Sequence, residues 1–184
     1  MGNDADRYRR YLDGDDNGLA EIIDIYHEGL TLYLRSIVGD ICAAEELMQE
    51  TFVRLAVKKP RLRHRQYFKT FLYGIAKHCA ADYLRHRARF ADIPIDGAFQ
   101  LSDEADIEKQ YLKEEQKIEL HRAMKKLRPE YAQVLYLMYF EDFDTAQTAA
   151  VMNKSRRQIG DLVYRAKKAL RTELEKEGFV YEDF

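Results

Sequence analysis

The stretch DTAQTAAVMNKSRRQIGDLVYRAKKAL occupies residues 144–170. It holds two helix-start signals, DTAQ at 144–147 and SRRQ at 155–158, and in each a polar N-cap residue precedes a glutamine by three positions, as in a capping box. Asn153-Lys154 predicts a turn between them. A short helix, a tight turn and a longer helix that runs to about Glu175 make a helix-turn-helix.

The second of these helices divides into two faces. At about 100° per residue, one side collects the apolar residues Ile159, Leu162, Val163, Ala166 and Leu170. A recognition helix needs this division, because one face holds the domain together while the other enters the major groove of DNA. The predicted DNA contacts are Arg156, Arg157, Gln158, Gly160, Asp161, Tyr164, Arg165 and Lys168. An ordinary charged helix packed on a bundle is the alternative interpretation.

Upstream of this motif, the apolar period predicts three more helices and an all-α fold. They cover about 17–34, 43–57 and 67–89, with Asn17 as a candidate N-cap, and Lys58 to Gln66 forms a loop. The periodicity stops after residue 90, and Pro129 fits the first turn of a later helix. The predicted organisation is a three-to-four-helix domain at 1–90, a flexible acidic linker at 91–108, and a helix-turn-helix domain at 109–184.

The net charge of −2 conceals a segregation of charge along the chain. Residues 1–56 have a net charge of −7, residues 57–90 have +9, and residues 91–121 have −6. A block of ten basic and one acidic side chains within an acidic protein indicates a surface that faces a polyanion.

The +9 block interleaves cations with aromatic rings, as binding of single-stranded nucleic acid requires. We therefore expect DNA contacts from residues of the loop and of the exposed side of the next helix: Arg61, Arg63, His64, Arg65, Tyr73, Lys77, His78 and Arg85. For Tyr73, plain packing is an equally good interpretation.

Other functional classes find little support in the sequence. There is no histidine placed beside the acidic residues to form a catalytic pair, no Cys/His cluster at metal-ligand spacing, and no glycine-rich phosphate loop, so we expect neither an enzyme nor a cofactor or metal. No apolar run is long enough to span a membrane and the N-terminus lacks a signal-peptide core, which predicts a cytoplasmic protein. Cys42 and Cys79 are expected to be buried thiols.

In this order, the motifs resemble those of the extracytoplasmic-function (ECF) sigma factors. DICAAEELMQETFVRL at 40–55 resembles their region 2 motif D-x-x-x-A-E-D-L-x-Q-E-x-F, and FKTFLYGIAKHCAADYLRHRAR at 68–89 resembles their promoter-melting helix. Residues 127–170 resemble their minus-thirty-five-reading domain, ending in the family's R-A-(K/R)-x-x-L. The resemblance covers about residues 16–175.

The resemblance implies a function and its partners. The acidic helix would dock on the clamp of core RNA polymerase through Glu46, Gln49, Glu50 and Arg54, although a solvated acidic face is the alternative. The basic loop and the helix after it would capture the minus-ten element of promoter DNA, and the helix-turn-helix would read the minus-thirty-five element. An anti-sigma factor that holds the two domains closed is a further implied partner.

Three departures from the family pattern bear on promoter choice. His78 replaces an asparagine implied to contact a flipped-out minus-ten base, and Gly160 and Asp161 replace a basic residue and a serine that face DNA. We therefore predict a diverged promoter. Two other hypotheses stay open: an autonomous helix-turn-helix regulator that binds duplex operators, and a helical adaptor without a role on DNA.

Overall fold

The computed structural model describes residues 4–62, 67–90, 120 and 122–176, and within these ranges every regular element is a helix. The all-α prediction is confirmed. The helices are α1 (Asp4–Leu12), α2 (Asp16–Val38), α3 (Ile41–Lys58), α4 (Phe68–Phe90), α5 (Pro129–Leu135), a π-helix (Tyr136–Phe140), α6 (Thr145–Met152) and α7 (Arg156–Lys176). We call α1–α4 the N-terminal domain and the helices from α5 onward the C-terminal domain.

Two helices of the N-terminal domain, α2 and α3, begin at aspartate N-caps. The Asp15 carboxylate accepts a hydrogen bond from the Asn17 amide, so the N-cap of α2 is Asp15 and the prediction of Asn17 is wrong. Asp40 caps α3 in the same way by accepting from the Ala43 amide at 2.7 Å. The three predicted helices are confirmed, with ends shifted by one to four residues.

Helix α1 is an element that the apolar period did not reveal. It buries Tyr8 and Tyr11, whose hydroxyl groups donate to the carbonyl oxygens of Pro60 and Ala56. Burial raises the pKa of Tyr8 to about 12, with a smaller contribution from Tyr11. Tyr11 thus contacts the last turn of α3 and Tyr8 contacts the loop that follows it, so α1 is fixed beside the start of this loop.

The C-terminal domain follows the predicted helix starts. Pro129 occupies the first turn of α5. Asp144 and Gln147 exchange reciprocal hydrogen bonds at the start of α6, and Ser155 and Gln158 do the same at the start of α7. Both capping boxes, and with them the helix-turn-helix, are confirmed.

The two domains pack against each other and share one continuous core. Helix α6 lies on α4, and α5 lies on α2. Aromatic rings cross the boundary: Tyr73 of α4 lies between Tyr33 of α2 and Phe143 of the C-terminal domain, with ring centroids 5.2 Å from each. The predicted linker at 91–108 lies outside the described residues.

The cysteines behave differently from each other. Cys79 is buried, as predicted, and burial raises the pKa of its thiol above the usual value. Cys42 is exposed in the first turn of α3, so its predicted burial is wrong, because its position on the helix points away from the neighbouring helices. Among the described helices, none combines the length and the apolar character needed to cross a bilayer.

Candidate nucleic-acid interface

The polar face of α7 is open to solvent along its length. All eight residues predicted to contact the minus-thirty-five element are exposed, with Tyr164 at 72%. On the opposite side, Ile159, Leu162 and Ala166 are buried against the rest of the C-terminal domain. The structure therefore separates the two faces as the sequence predicts.

Local contacts orient part of this face. The Arg165 guanidinium donates to the Asp161 carbonyl oxygen at 3.2 Å, one helical turn earlier, which leaves the Asp161 carboxylate exposed. Lys167 places its ammonium 4.8 Å from the centre of the Tyr139 ring, at the flank of the helix. Nothing lies within 4 Å of the point where a Cβ at Gly160 would stand, so this position has space for a side chain.

Helix α4 has three distinct sides. Leu72, Ala76 and Cys79 face the core of the N-terminal domain and are fully buried. His78 and Arg85 lie on an exposed side, where His78 Nδ1 is 2.8 Å from the Gly74 carbonyl oxygen. The third side, which carries Lys69, Tyr73 and Lys77, is turned toward the C-terminal domain.

Tyr73 requires a correction. The sequence places it on the exposed side of α4, but its side chain is 0% exposed, because Phe143 and the surrounding C-terminal domain cover it. Burial is also the main reason that the pKa of its phenol is raised. In the arrangement that the structure shows, Tyr73 is a packing residue and cannot stack on a base.

Lys77 is half-buried at the same boundary. Its pKa is lowered, first by desolvation and then by the nearby charge of Lys154, while Glu130 acts in the opposite direction. Lys154 is itself paired with Glu130 at 3.1 Å. The predicted minus-ten residues on α4 therefore fall into an open pair, His78 and Arg85, and a covered pair, Tyr73 and Lys77.

The basic loop before α4 is described only in part. Arg61 is exposed at its start. Arg63, His64 and Arg65 lie outside the described residues.

The acidic face of α3 is accessible for docking. Glu46 and Gln49 are exposed and Glu50 is half-buried. Val53 and Val57 continue the same face at spacings of three and four residues, and they are 58% and 77% exposed. The sequence analysis did not assign a role to either valine, because a valine in an amphipathic helix is normally assigned to the core. Both positions lie outside the apolar stripe of α3, and this was the sequence signal for their exposure.

Arg54, also predicted to meet the polymerase, is engaged within the chain. Its guanidinium donates to Glu50 at 2.6 and 2.9 Å and to Asp82 of α4 at 3.1 Å. Asp82 also pairs with Arg85, one turn further along α4. The acidic face of α3 and the exposed face of α4 are thus connected by four alternating charges.

Comparison with known proteins covers both domains. The sigma-70 region 2 family matches residues 22–90, and the sigma-70 region 4 family matches residues 117–170. The ECF RNA polymerase sigma factor SigW of Bacillus subtilis is 24% identical over 177 residues, which cover 91% of this chain and 95% of the relative.

Two solved structures share the fold. One is CnrH in complex with the cytosolic domain of CnrY, with a TM-score of 0.65, 16% identity and coverage of 95% of this chain and 99% of the other. The second is the sigma factor RpoE of Bartonella quintana in complex with the anti-sigma factor NepR, with a TM-score of 0.63, 17% identity and coverage of 85% and 96%.

The region 2 match spans most of α2 and all of α3 and α4, and the region 4 match includes both capping boxes and the polar face of α7. The motifs, the helix-turn-helix and the comparisons agree, and the chain belongs to the ECF group of the sigma-70 family.

Proposed function

We propose that this chain binds core RNA polymerase through α3 and brings it to promoters read by α4 and α7. Family membership favours this function over an autonomous regulator or an adaptor. Its place of action is then the cytoplasm, where polymerase meets the chromosome, and its role is that of a DNA-binding initiation factor. The observation that carries the proposal is the separation of an exposed acidic α3 face from the exposed cationic face of α7 within one molecule.

The polymerase-docking surface is centred on Glu46, Gln49, Val53 and Val57. The two valines add an exposed apolar strip to a charged face, a combination that is typical of protein interfaces. Glu50 and Arg54 belong to the same surface, but their mutual salt bridge lets them act mainly by shaping it.

On the promoter, each exposed face has a separate task. Arg157 lies in the first turn of α7, where it reaches base edges in the major groove, and Gln158 beside it offers a base only its side-chain NH2, because its Oε1 accepts from the Ser155 amide. Arg165 and Lys168 lie further along the helix, where phosphates pass. His78 and Arg85 on α4 act at the minus-ten element, together with the basic loop. An anti-sigma factor, as in the complexes of the structural relatives, is a proposed regulatory partner.

The experiment that tests this function is co-purification with core polymerase followed by transcription from genomic fragments. Wild-type protein should bind core enzyme and produce defined start sites. A variant with Glu46→Lys and Gln49→Lys should lose core binding by at least about tenfold while its helical content stays unchanged, and Val57→Glu should have a similar effect.

Glu175→Lys is the control, because it makes the same Glu-to-Lys change as Glu46→Lys at an exposed position of α7 away from the docking surface. It should leave core binding unchanged. Full core binding by the α3 variants would refute the docking assignment, and the absence of any promoter-specific start site would refute the function.

A further inference from the structure

Glu141 joins the two domains through a partly buried ion pair. Its carboxylate lies 3.0 Å from the Lys69 ammonium, which also donates to the Glu141 carbonyl oxygen at 2.6 Å. The Glu141 side chain is only 11% exposed and that of Lys69 30%, so solvent screens this pair less than a surface pair. Lys69 thus meets both the side chain and the backbone of one residue.

The backbone around Glu141 is shaped for this contact. The helix that starts as α5 widens into a π-helix at Tyr136–Phe140, and the Glu141 amide closes its last turn on the Tyr136 carbonyl oxygen at 3.2 Å. Asp142 then adopts a left-handed conformation with φ of 53°, which is uncommon for a residue other than glycine. The reversal allows Phe143 to return onto Tyr73.

Gly29 of α2 has no side chain, and this lets Glu141 and Tyr73 lie directly against the α2 backbone. A Cβ at this position would lie 2.5 Å from Glu141 Oε1 and 2.9 Å from the Tyr73 hydroxyl oxygen. Three segments therefore converge at one point: α2 through Gly29, α4 through Lys69 and Tyr73, and the C-terminal domain through Glu141 and Phe143. Any larger residue at position 29 would have to displace the carboxylate.

The α4 residues at this contact between the domains are of the kinds that bind nucleic acid, the ligand proposed for α4. Lys69, Tyr73 and Lys77 form a cation–aromatic–cation row at intervals of four residues, and such a row suits a nucleic-acid strand. Two carboxylates of the C-terminal domain lie near this row: Glu141 pairs with Lys69, and Glu130 is near Lys77.

We propose that Glu141 takes the place of a DNA phosphate on Lys69, so that the C-terminal domain covers one side of α4 and the chain holds itself closed without a partner. Promoter DNA and the C-terminal domain then compete for the same row of residues. This inference rests on the proposed role of α4 in DNA binding, although the closure itself does not.

The closed arrangement is also suited to opening. The Tyr33 hydroxyl is buried beside Tyr73 and Tyr136 and has no hydrogen-bond partner among the described residues. Opening the junction would return this hydroxyl, and the Lys69 and Glu141 charges, to water, which offsets part of the apolar contact that is lost. The free-energy difference between the closed and the open chain is therefore small enough for a ligand to shift it, as a switch requires.

The test uses the full chain and measures its radius of gyration by small-angle X-ray scattering. A closed wild-type chain should have a radius near that of one compact body, about 16 Å for this length. Glu141→Lys places like charges together and should raise the radius by several ångströms. Gly29→Ala should do the same to a smaller extent, and since it favours the helical state of α2 it should not unfold the N-terminal domain.

Two control variants distinguish loss of the Lys69–Glu141 contact from a general effect of the added charge. Glu175→Lys carries the same charge change on α7 and should keep the wild-type radius. The exchanged pair Lys69→Glu with Glu141→Lys should restore it in part, because it regains the ion pair but loses the hydrogen bond to the carbonyl oxygen of residue 141. A wild-type radius for Glu141→Lys and Gly29→Ala would overturn the closure, whatever the transcription experiments give.

The second measurement is binding of a labelled oligo-dT strand to the full chain at low salt. Glu141→Lys should bind at least about fivefold tighter than Glu175→Lys, because both gain the same charge but only the first uncovers α4. Opening of the chain with equal affinity in the two variants would refute the competition with DNA and leave the closure in place.

Discussion

Arg54 of α3 and Asp82 of α4 form an ionic contact between the acidic face of α3 and the exposed face of α4. The guanidinium uses both terminal nitrogens on the same Asp82 oxygen at 3.1 Å, while its Nε and one of these nitrogens hold Glu50. Asp82 in turn holds Arg85. The relationship suggests that Arg54 orients Asp82, and through it Arg85, in addition to any contact with polymerase.

Arg54→Ala should therefore weaken minus-ten binding as well as core binding. The direct effect on folding stability should be small, because the side chains of Arg54 and Asp82 are 30% and 43% exposed and solvent screens their charges. The measurement is a double-mutant cycle with Arg85→Ala in an assay of binding to a minus-ten strand by the assembled holoenzyme. Additive losses would show that Arg54 does not act through Arg85.

Asp82 also gives the contact a dependence on pH. Hydrogen bonds from Arg54, and then the charge of Arg85, hold the pKa of Asp82 below its usual value of 3.8. Because the folded-state pKa is the lower one, the stabilising contribution is present above the unfolded-state value, near pH 4, and is lost as the pH falls through the folded-state value.

The stability difference between wild type and Asp82→Asn, measured by denaturant unfolding, should accordingly be constant between about pH 7 and 5 and should shrink as the pH falls below about 4. A difference that persists at the lowest pH would mean that Asp82 contributes through packing and not through its charge.

Gly160 offers a site for improving promoter contact. A Cβ there meets no atom within 4 Å, so Gly160→Ala should stabilise α7 by up to about 1 kcal/mol. Gly160→Lys should in addition strengthen binding to duplex promoter DNA. The logarithm of its binding constant should also fall more steeply with the logarithm of the salt concentration, by a slope of about one. Thr172→Lys, an exposed change near the end of the same helix, is the control and should leave the salt dependence nearly unchanged.

The two cysteines should react at very different rates. Cys42 is exposed, whereas Cys79 is buried with a raised thiol pKa, and the thiolate is the reactive form. Titration with a thiol reagent at neutral pH should modify one cysteine per native chain and both after denaturation. Mass spectrometry should locate the native modification at Cys42; rapid native modification of Cys79 would indicate that α3 and α4 separate readily.

Features encoded by local chemistry were predictable from the sequence. The capping boxes at Asp144 and Ser155 and the first-turn Pro129 are properties of neighbouring residues, so the order of amino acids alone places the helix-turn-helix. The exposure of the α7 polar face followed from its periodicity.

Features that depend on distant packing were not predictable. Periodicity describes which residues share a side of a helix, but it does not say how many sides are covered. Tyr73 is buried because a second domain lies on α4, and Val57 is exposed because none of the described residues covers it. Cys42 and helix α1 escaped prediction for the same reason.

The continuous core has a consequence for hybrid proteins made by exchanging halves between relatives. An exchange between the two domains would separate rings that pack against each other, because Tyr73 contacts Tyr33 of the same domain and Phe143 of the C-terminal domain. A hybrid that joins this N-terminal half to a foreign C-terminal half would bring mismatched side chains together at this contact, and its two halves should pack together less stably even where each still recognises its own promoter element.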